Sequence, residues 1–268
     1  MIDSITQLLD ALRQMPWDSW QIVTILILAG FIVGFINTLA SSGAVITFGL
    51  FTFLGLPLGE ANGSIRLGVI MQMMLATYRF AKHGLLKLKL VILLCIPMML
   101  GAFAGAQISA NLDTSTFRWF LIGALIIVMG ILFFKPKTMQ HISFKKEWHR
   151  IVTILIVFLI LGIYAGFIHI GCGFFMIIAV QLLGGPGITY LEANAYKAVL
   201  ALTFTPCALA IYAYHHQVNF YIGGIAMLGN VLGSYVASSM ALKWGSDFIK
   251  WVLAVVIVLF IAYLIKFH

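Results

Sequence analysis

Four charged residues stand inside an otherwise apolar chain, and they come as matching pairs: Glu60 with Arg66, and Glu192 with Lys197. The other 20 of the 24 Asp, Glu, Lys and Arg residues fall in tails, loops or the ends of apolar segments. A basic side chain inside a bilayer costs about 2.5–3.5 kcal/mol even on a lenient insertion scale, so a repeated one calls for a compensating partner. Two readings are open. The cations hold an anion, helped by the free N–H groups of a helix that starts inside the membrane, or Glu60 and Glu192 serve as their charge partners. Snorkelling to the interface is a variant of the second reading.

Small and polar residues interrupt the apolar runs just before each pair. Asn37, Thr38, Ser41, Ser42 and Gly43 break the first, and His169, Cys172 and Gly173 break the second. Such breaks free backbone N–H and C=O groups, which lipid-facing chain does not tolerate, so they are expected in protein or along a wet cavity. Small residues also let a ligand approach the backbone closely. Asn62 and Asn194 precede the two cations and complete the candidate set, with Gln72 a lesser member. His169 stands where the first half has Asn37 and is a candidate donor or proton carrier. Cys95, Cys172 and Cys207 lie singly, without metal-ligand spacing, and His215–His216 has no neighbouring ligands. No metal site and no cofactor is expected.

The elements that must position these residues are membrane spans. Of 268 residues 62% are hydrophobic and 9% charged, against about 25% charged in a soluble domain, and the mean hydropathy is +1.08. Ten apolar segments fall near 21–38, 43–58, 63–78, 90–110, 118–134, 151–170, 173–185, 195–214, 218–240 and 248–265. The expected fold is an all-α polytopic membrane protein with eight to ten membrane segments. The net charge of +8 then belongs to basic loops beside a lipid bilayer rather than to nucleic-acid binding. The start of the chain has acidic residues and no basic n-region, and reads as an amphipathic segment over 1–19.

Residues 135–150 carry five Lys or Arg against one Glu and divide the chain into a repeat over 20–134 and a repeat over 151–268. Five landmarks recur in order. Gly34-Phe35-Ile36-Asn37 matches Gly166-Phe167-Ile168-His169, and the breaks end at Gly43 and Gly173. Glu60-Ala61-Asn62 matches Glu192-Ala193-Asn194, Gly101/Gly105 matches Gly229/Gly233, and Phe117-Arg118-Trp119 matches Ile249-Lys250-Trp251. Duplicated halves with broken helices in corresponding places are the pattern of secondary transporters. The glycine pairs read as helix-packing positions. Segment 43–56 spans about 21 Å as a helix, too short for a core of about 30 Å, so the turn at Gly55-Leu56-Pro57 is expected at membrane depth. Inverted repeats, the expected arrangement by analogy with other transporters, put both termini outside, whereas the alternative of eight spans in parallel repeats puts both inside. The basic loops 79–89 and 135–150 face the cytoplasm in either case, with 11 Lys or Arg inside and three outside.

The stretch "GFINTLASSGAVITFGLFTFLGLPLGEANGSIRLGVIMQ" resembles the opening module of the TauE/SafE family, the sulfite exporter-like permeases. "YRFAKHGLLKLKL" resembles that family's aromatic–basic–Gly connection, and "GIYAGFIHIGCGFFMI" its second module; the likeness runs from about residue 25 to 265. It implies a multi-pass permease of the bacterial inner membrane for small anions, with sulfite, sulfonates and related sulfur compounds as the usual assignment. The motif positions it carries over are Asn37, Thr38, Gly43, Asn62, Arg66, Gly173, Asn194 and Lys197. The chain departs from the motif at Ser41-Ser42-Gly43, where the family has a glycine run, and at Ile65, where it has Asn.

The leading expectation is therefore a non-enzymatic anion permease or exporter working by alternating access, as a monomer or a homodimer. An anion channel and a non-transporting assembly or scaffold protein are the alternatives. A membrane enzyme would need a catalytic constellation, and no HExxH, GxSxG or nucleotide loop is present.

Overall fold

The computed structural model describes residue 12 and residues 14–40, 43–133, 142–144 and 146–267; for 40, 125–133 and 246–267 it describes the backbone alone. Ser41, Ser42, the start of the amphipathic segment and half of the 135–150 loop (135–141 and 145) lie outside the described residues. Within them the chain is helical throughout. The first half contains α1 (Trp20–Ala40), α2 (Ala44–Phe53), α3 (Leu58–Lys82), α4 (Leu88–Ala110) and α5 (Thr114–Phe133). The second contains α6 (Glu147–Phe167), α7 (Cys172–Leu183), α8 (Tyr190–Tyr214) and α9 (Phe220–Phe267), which is two helices joined at Gly245. Among the described residues α1, α4, α6, α8 and α9 as far as Gly245 are long and apolar enough to cross a membrane.

Apolar side chains cover the outside as well as the core, as at Leu28 and Ile32 of α1, Leu100 and Phe103 of α4, and Ile156 and Ile160 of α6. A helix apolar on both faces belongs in a bilayer, where the outer stripe meets lipid. The centre is built by α3 and α8, which carry both buried cations and many of the buried polar groups: Asn62, Ser64, Arg66 and Gln72 on α3, and Asn194, Lys197 and Thr205 on α8.

Glycines set the closest helix approaches and reveal their directions. A Cβ on Gly101 or Gly105 of α4 would run into the backbone of Leu159 or Ile163 on α6, and one on Gly229 or Gly233 of α9 into Ile27 or Phe31 on α1. The expected packing role of these glycines is thus met, since lipid offers no hydrophobic drive and close backbone contact must supply the association. Residue numbers rise together along both interfaces, so α4 runs parallel to α6 and α1 parallel to α9. Ser234 of α9 donates to the Gln72 carbonyl of α3 at 2.9 Å, and Asn219, just before α9, donates its N–H to Ser64 Oγ at 2.7 Å, making α3 parallel to α9. The Lys87 N–H donates to Tyr196 Oη at 3.0 Å, and Gln217 donates to the Ala110 carbonyl at 3.0 Å, making α4 parallel to α8. Short connections at 83–87 and 215–219 reverse the chain between these two sets. Hence α1 and α3 point one way while α6 and α8, in the same places of the second half, point the other: the halves are inverted with respect to each other.

The short helices correct one expectation. Trp17 Nε1 donates to the Leu54 carbonyl at 3.2 Å, tying the end of α2 to the residues that lead into α1. Arg150, near the start of α6, donates through Nε and Nη2 to the carbonyls of Leu183 (3.0 Å) and Gly184 (2.8 Å) at the end of α7. Each short helix therefore begins at depth and returns to the face from which its pair entered. The end of α1, Gly43 and the Ile168–Gly171 break thus lie at depth, whereas the turns at Gly55-Leu56-Pro57 and Gly184–Gly187 lie toward the two faces.

Candidate functional site

Each broken helix ends against the long central helix of the opposite half. Arg66 lies eight residues into α3, about 12 Å from its start. It is wholly buried. Its Nη1 donates to the Ala165 carbonyl at 3.2 Å and its Nη2 to the Gly166 carbonyl at 2.7 Å, both in the last turn of α6. The guanidinium also lies 4.7 Å from the ring centre of Tyr212 on α8. Lys197, seven residues into α8 and 1% exposed, donates to the carbonyls of Asn37 and Thr38 in the last turns of α1, both at 2.9 Å.

This geometry follows from the ends of helices. The last turn leaves carbonyls without intrahelical donors and carries roughly half a negative charge. Away from water those groups need partners, and a cation is the best available. The sequence-based expectation had set Arg66 and Lys197 beside helix N-termini; the structure instead brings them to the C-terminal carbonyls of the opposite half. Nor do they form ion pairs with Glu60 or Glu192. Among the described residues the one ion pair is Arg150–Glu147. Glu192 closes a capping box with Thr189 at the start of α8, and Glu60 lines a cavity of ≈ 180 Å³ with Ser109, His216 and Gln217 where α3 begins. The two buried positive charges thus have dipoles but no carboxylate against them.

The remaining candidates divide between the two tips. At the α6 tip Asn62 Nδ2 donates to the Phe167 carbonyl at 2.9 Å and to Tyr212 Oη at 2.7 Å, while Tyr212 Oη lies 3.1 and 3.0 Å from the carbonyls of Gly166 and Phe167. Ile168–Gly171 form the break, with Gly171 at φ +72°, a left-handed conformation suited to glycine. The second break therefore lies slightly before its expected place, and Cys172 and Gly173 form the first turn of α7. Cys172 Sγ donates to the His169 carbonyl at 3.0 Å. At the α1 tip the Thr38 hydroxyl donates to Ser234 Oγ at 3.0 Å, so it is engaged with α9. Gly43 leads into α2, where a Cβ would meet the Val33 carbonyl at 2.7 Å.

Several polar atoms at this centre are buried without a partner: both amide atoms of Asn194 and of Gln72, His169 Nδ1, Thr205 Oγ1 and Arg66 Nε. The His169 ring packs 5.8 Å from that of Phe204, two turns beyond Lys197 on α8. Tyr212 and Ser234 are the members that sequence reasoning missed. Both sit in apolar helical runs, and only the crossing of α8 and α9 over the broken tips shows their part.

Broken helices of inverted halves, crossed by long helices that set Arg66 and Lys197 against their last carbonyls, define a helical membrane protein with a buried polar centre. The sulfite exporter TauE/SafE family model matches residues 26–264, and the chain belongs to that family. It is thereby a membrane transporter. Its relatives include a "Probable membrane transporter protein" of Haemophilus influenzae, 26% identical over 85% of this chain and 89% of the relative. The "Probable membrane transporter protein ORF9" of a Sinorhizobium species is 28% identical over 89% of this chain and 90% of its own length. The "Probable membrane transporter protein YfcA" of Escherichia coli K12 is 21% identical, over 87% and 85%. No solved structure matches the chain.

Proposed function

We propose that this transporter moves a small anion, of the class of sulfite, sulfonates and related sulfur compounds, across a bacterial inner membrane without chemical change. The observation that carries this reading is the pair of buried cations, Arg66 and Lys197, that face carbonyl dipoles and no carboxylate. A helix end offsets only part of a unit charge. A bound anion supplies the rest, and the low-dielectric surroundings strengthen the attraction. Inverted halves also supply a reason for alternating access, since exchanging their conformations turns a site open to one face into a site open to the other.

The test is flux. Purified protein in proteoliposomes is offered radiolabelled sulfite, sulfate, thiosulfate and methanesulfonate, with protein-free vesicles as the control. The expected result is saturable movement of at least one of these anions, lost in Arg66→Ala and Lys197→Ala proteins that still reach the membrane. Folded wild-type protein that moves none of them would reduce the cations to helix caps and favour an assembly role.

A further inference from the structure

The two tips are built from corresponding residues but are not held alike. The α6 tip is closed by Arg66, Asn62 and Tyr212, all bonded to its carbonyls or to one another. At the α1 tip, among the described residues, Lys197 alone donates a side-chain bond to the tip carbonyls, and the Thr38 hydroxyl is engaged with Ser234. Phe80, 132 residues before Tyr212, stands in its corresponding place, at the same offset that separates Asn62 from Asn194. A phenyl ring brings no hydroxyl, and Asn194 makes no bond through either amide atom although it is 0% exposed. An ammonium has three donors, and Lys197 uses two of them on Asn37 and Thr38.

We propose that the anion is bound at the α1 tip, by Lys197 and Asn194 on α8, while Arg66, Asn62 and Tyr212 form a latch that holds the α6 tip. Asn194 and Lys197 are three residues apart on one helix, so the unpartnered amide and the ammonium with a donor to spare belong to the same face of α8. A buried amide without a partner is costly and is retained where a ligand completes it. His169 Nδ1 and Thr205 Oγ1, both buried and unpartnered, lie further along the region reached by that face of α8. The latch is already satisfied, apart from Arg66 Nε, and offers an incoming anion little. This inference rests on the anion reading above and assigns the two halves different tasks within it.

Thermal unfolding of protein in nanodiscs, titrated with sulfite, sulfate, thiosulfate and methanesulfonate, separates the alternatives, because a ligand that binds only the folded state raises Tm saturably. Asn194→Leu is expected to raise the half-saturating concentration about tenfold or more, the scale of one hydrogen bond to a charge. Its anion-free Tm should stay level or rise, since an unpartnered buried amide is removed. Tyr212→Phe should lower the anion-free Tm and leave half-saturation within about twofold. Asn62→Leu, where it folds, should behave like Tyr212→Phe. An Asn194→Leu protein that titrates like wild type, or a Tyr212→Phe protein that weakens binding as much, overturns the assignment and leaves the anion reading standing. Wild-type protein that no anion stabilises overturns both.

Discussion

At the scale of single residues, the two cations illustrate how a buried charge is accommodated without an opposite one. Arg66 can serve two carbonyls at once because its guanidinium is a planar fork; lysine offers charge without that geometry. Arg66→Ala is expected to destabilise the protein by roughly 3 kcal/mol, the scale of hydrogen bonds to a charge in a site that water cannot refill. Arg66→Lys should lose about half as much, with flux falling in the same order. Tyr212→Phe deletes a hydroxyl bonded to Asn62 and two α6 carbonyls, and should cost about 1–2 kcal/mol. Denaturation in nanodiscs without anion measures all three. Arg66→Ala as stable as wild type would mean that the α6 carbonyls find other donors.

Between elements, contact is made by backbone more than by side chains. Gly101 and Gly105 on α4 interlock with Gly162 and Gly166 on α6, and Gly229 and Gly233 on α9 interlock with Gly30 and Gly34 on α1. Gly105→Ala would press a methyl onto the Ile163 carbonyl. Backbone cannot step aside, so the expected loss is about 2 kcal/mol or more, visible as a lower Tm and a broadened monodisperse peak in detergent. Gly49→Ala is the control: nothing lies within 4 Å of its added Cβ. Its helix should be unchanged or slightly more stable, by up to about 1 kcal/mol. Equal behaviour of the two variants would show that α4 and α6 do not depend on this approach.

For the molecule as a whole, the inversion of the halves fixes which connections share a face. The 83–87 connection and the far end of α5 lie on the face opposite the start of α1, and the 111–113 and 215–219 connections lie on the same face as that start. Arg79, Lys82, Lys87, Lys89, Arg150 and Lys243 all fall at the first of these faces, so the positive-inside rule turns it to the cytoplasm. Ser115→Cys, in the exposed first turn of α5, should react with a membrane-impermeant maleimide on intact cells. Lys82→Cys, exposed at the end of α3, should react only after permeabilisation. The reverse pattern would reverse the orientation, and labelling of both from one side would contradict the helix directions themselves.

Composition alone determined the membrane, the helical class and the breaks, because hydrophobic runs of span length and residues that leave backbone unpaired are local properties of a chain. The matching positions of Asn62 with Asn194 and of Arg66 with Lys197 were legible for the same reason. The partners of those residues were not. That Arg66 of the first half caps α6 of the second, and Lys197 of the second caps α1 of the first, joins groups 99 to 160 residues apart. Nothing in either segment names the other. Direction was equally hidden: hydropathy is blind to which way a helix runs, and the count of basic loop residues fits inverted and parallel repeats equally well. Tertiary packing decided it, because α1 can lie parallel to α9, and α4 to α6, only where their glycines let two backbones meet. The unequal dress of the two tips, with Tyr212 bonded at one and Phe80 at the corresponding position of the other half, acquires meaning only once Tyr212 is seen against the helix end it faces.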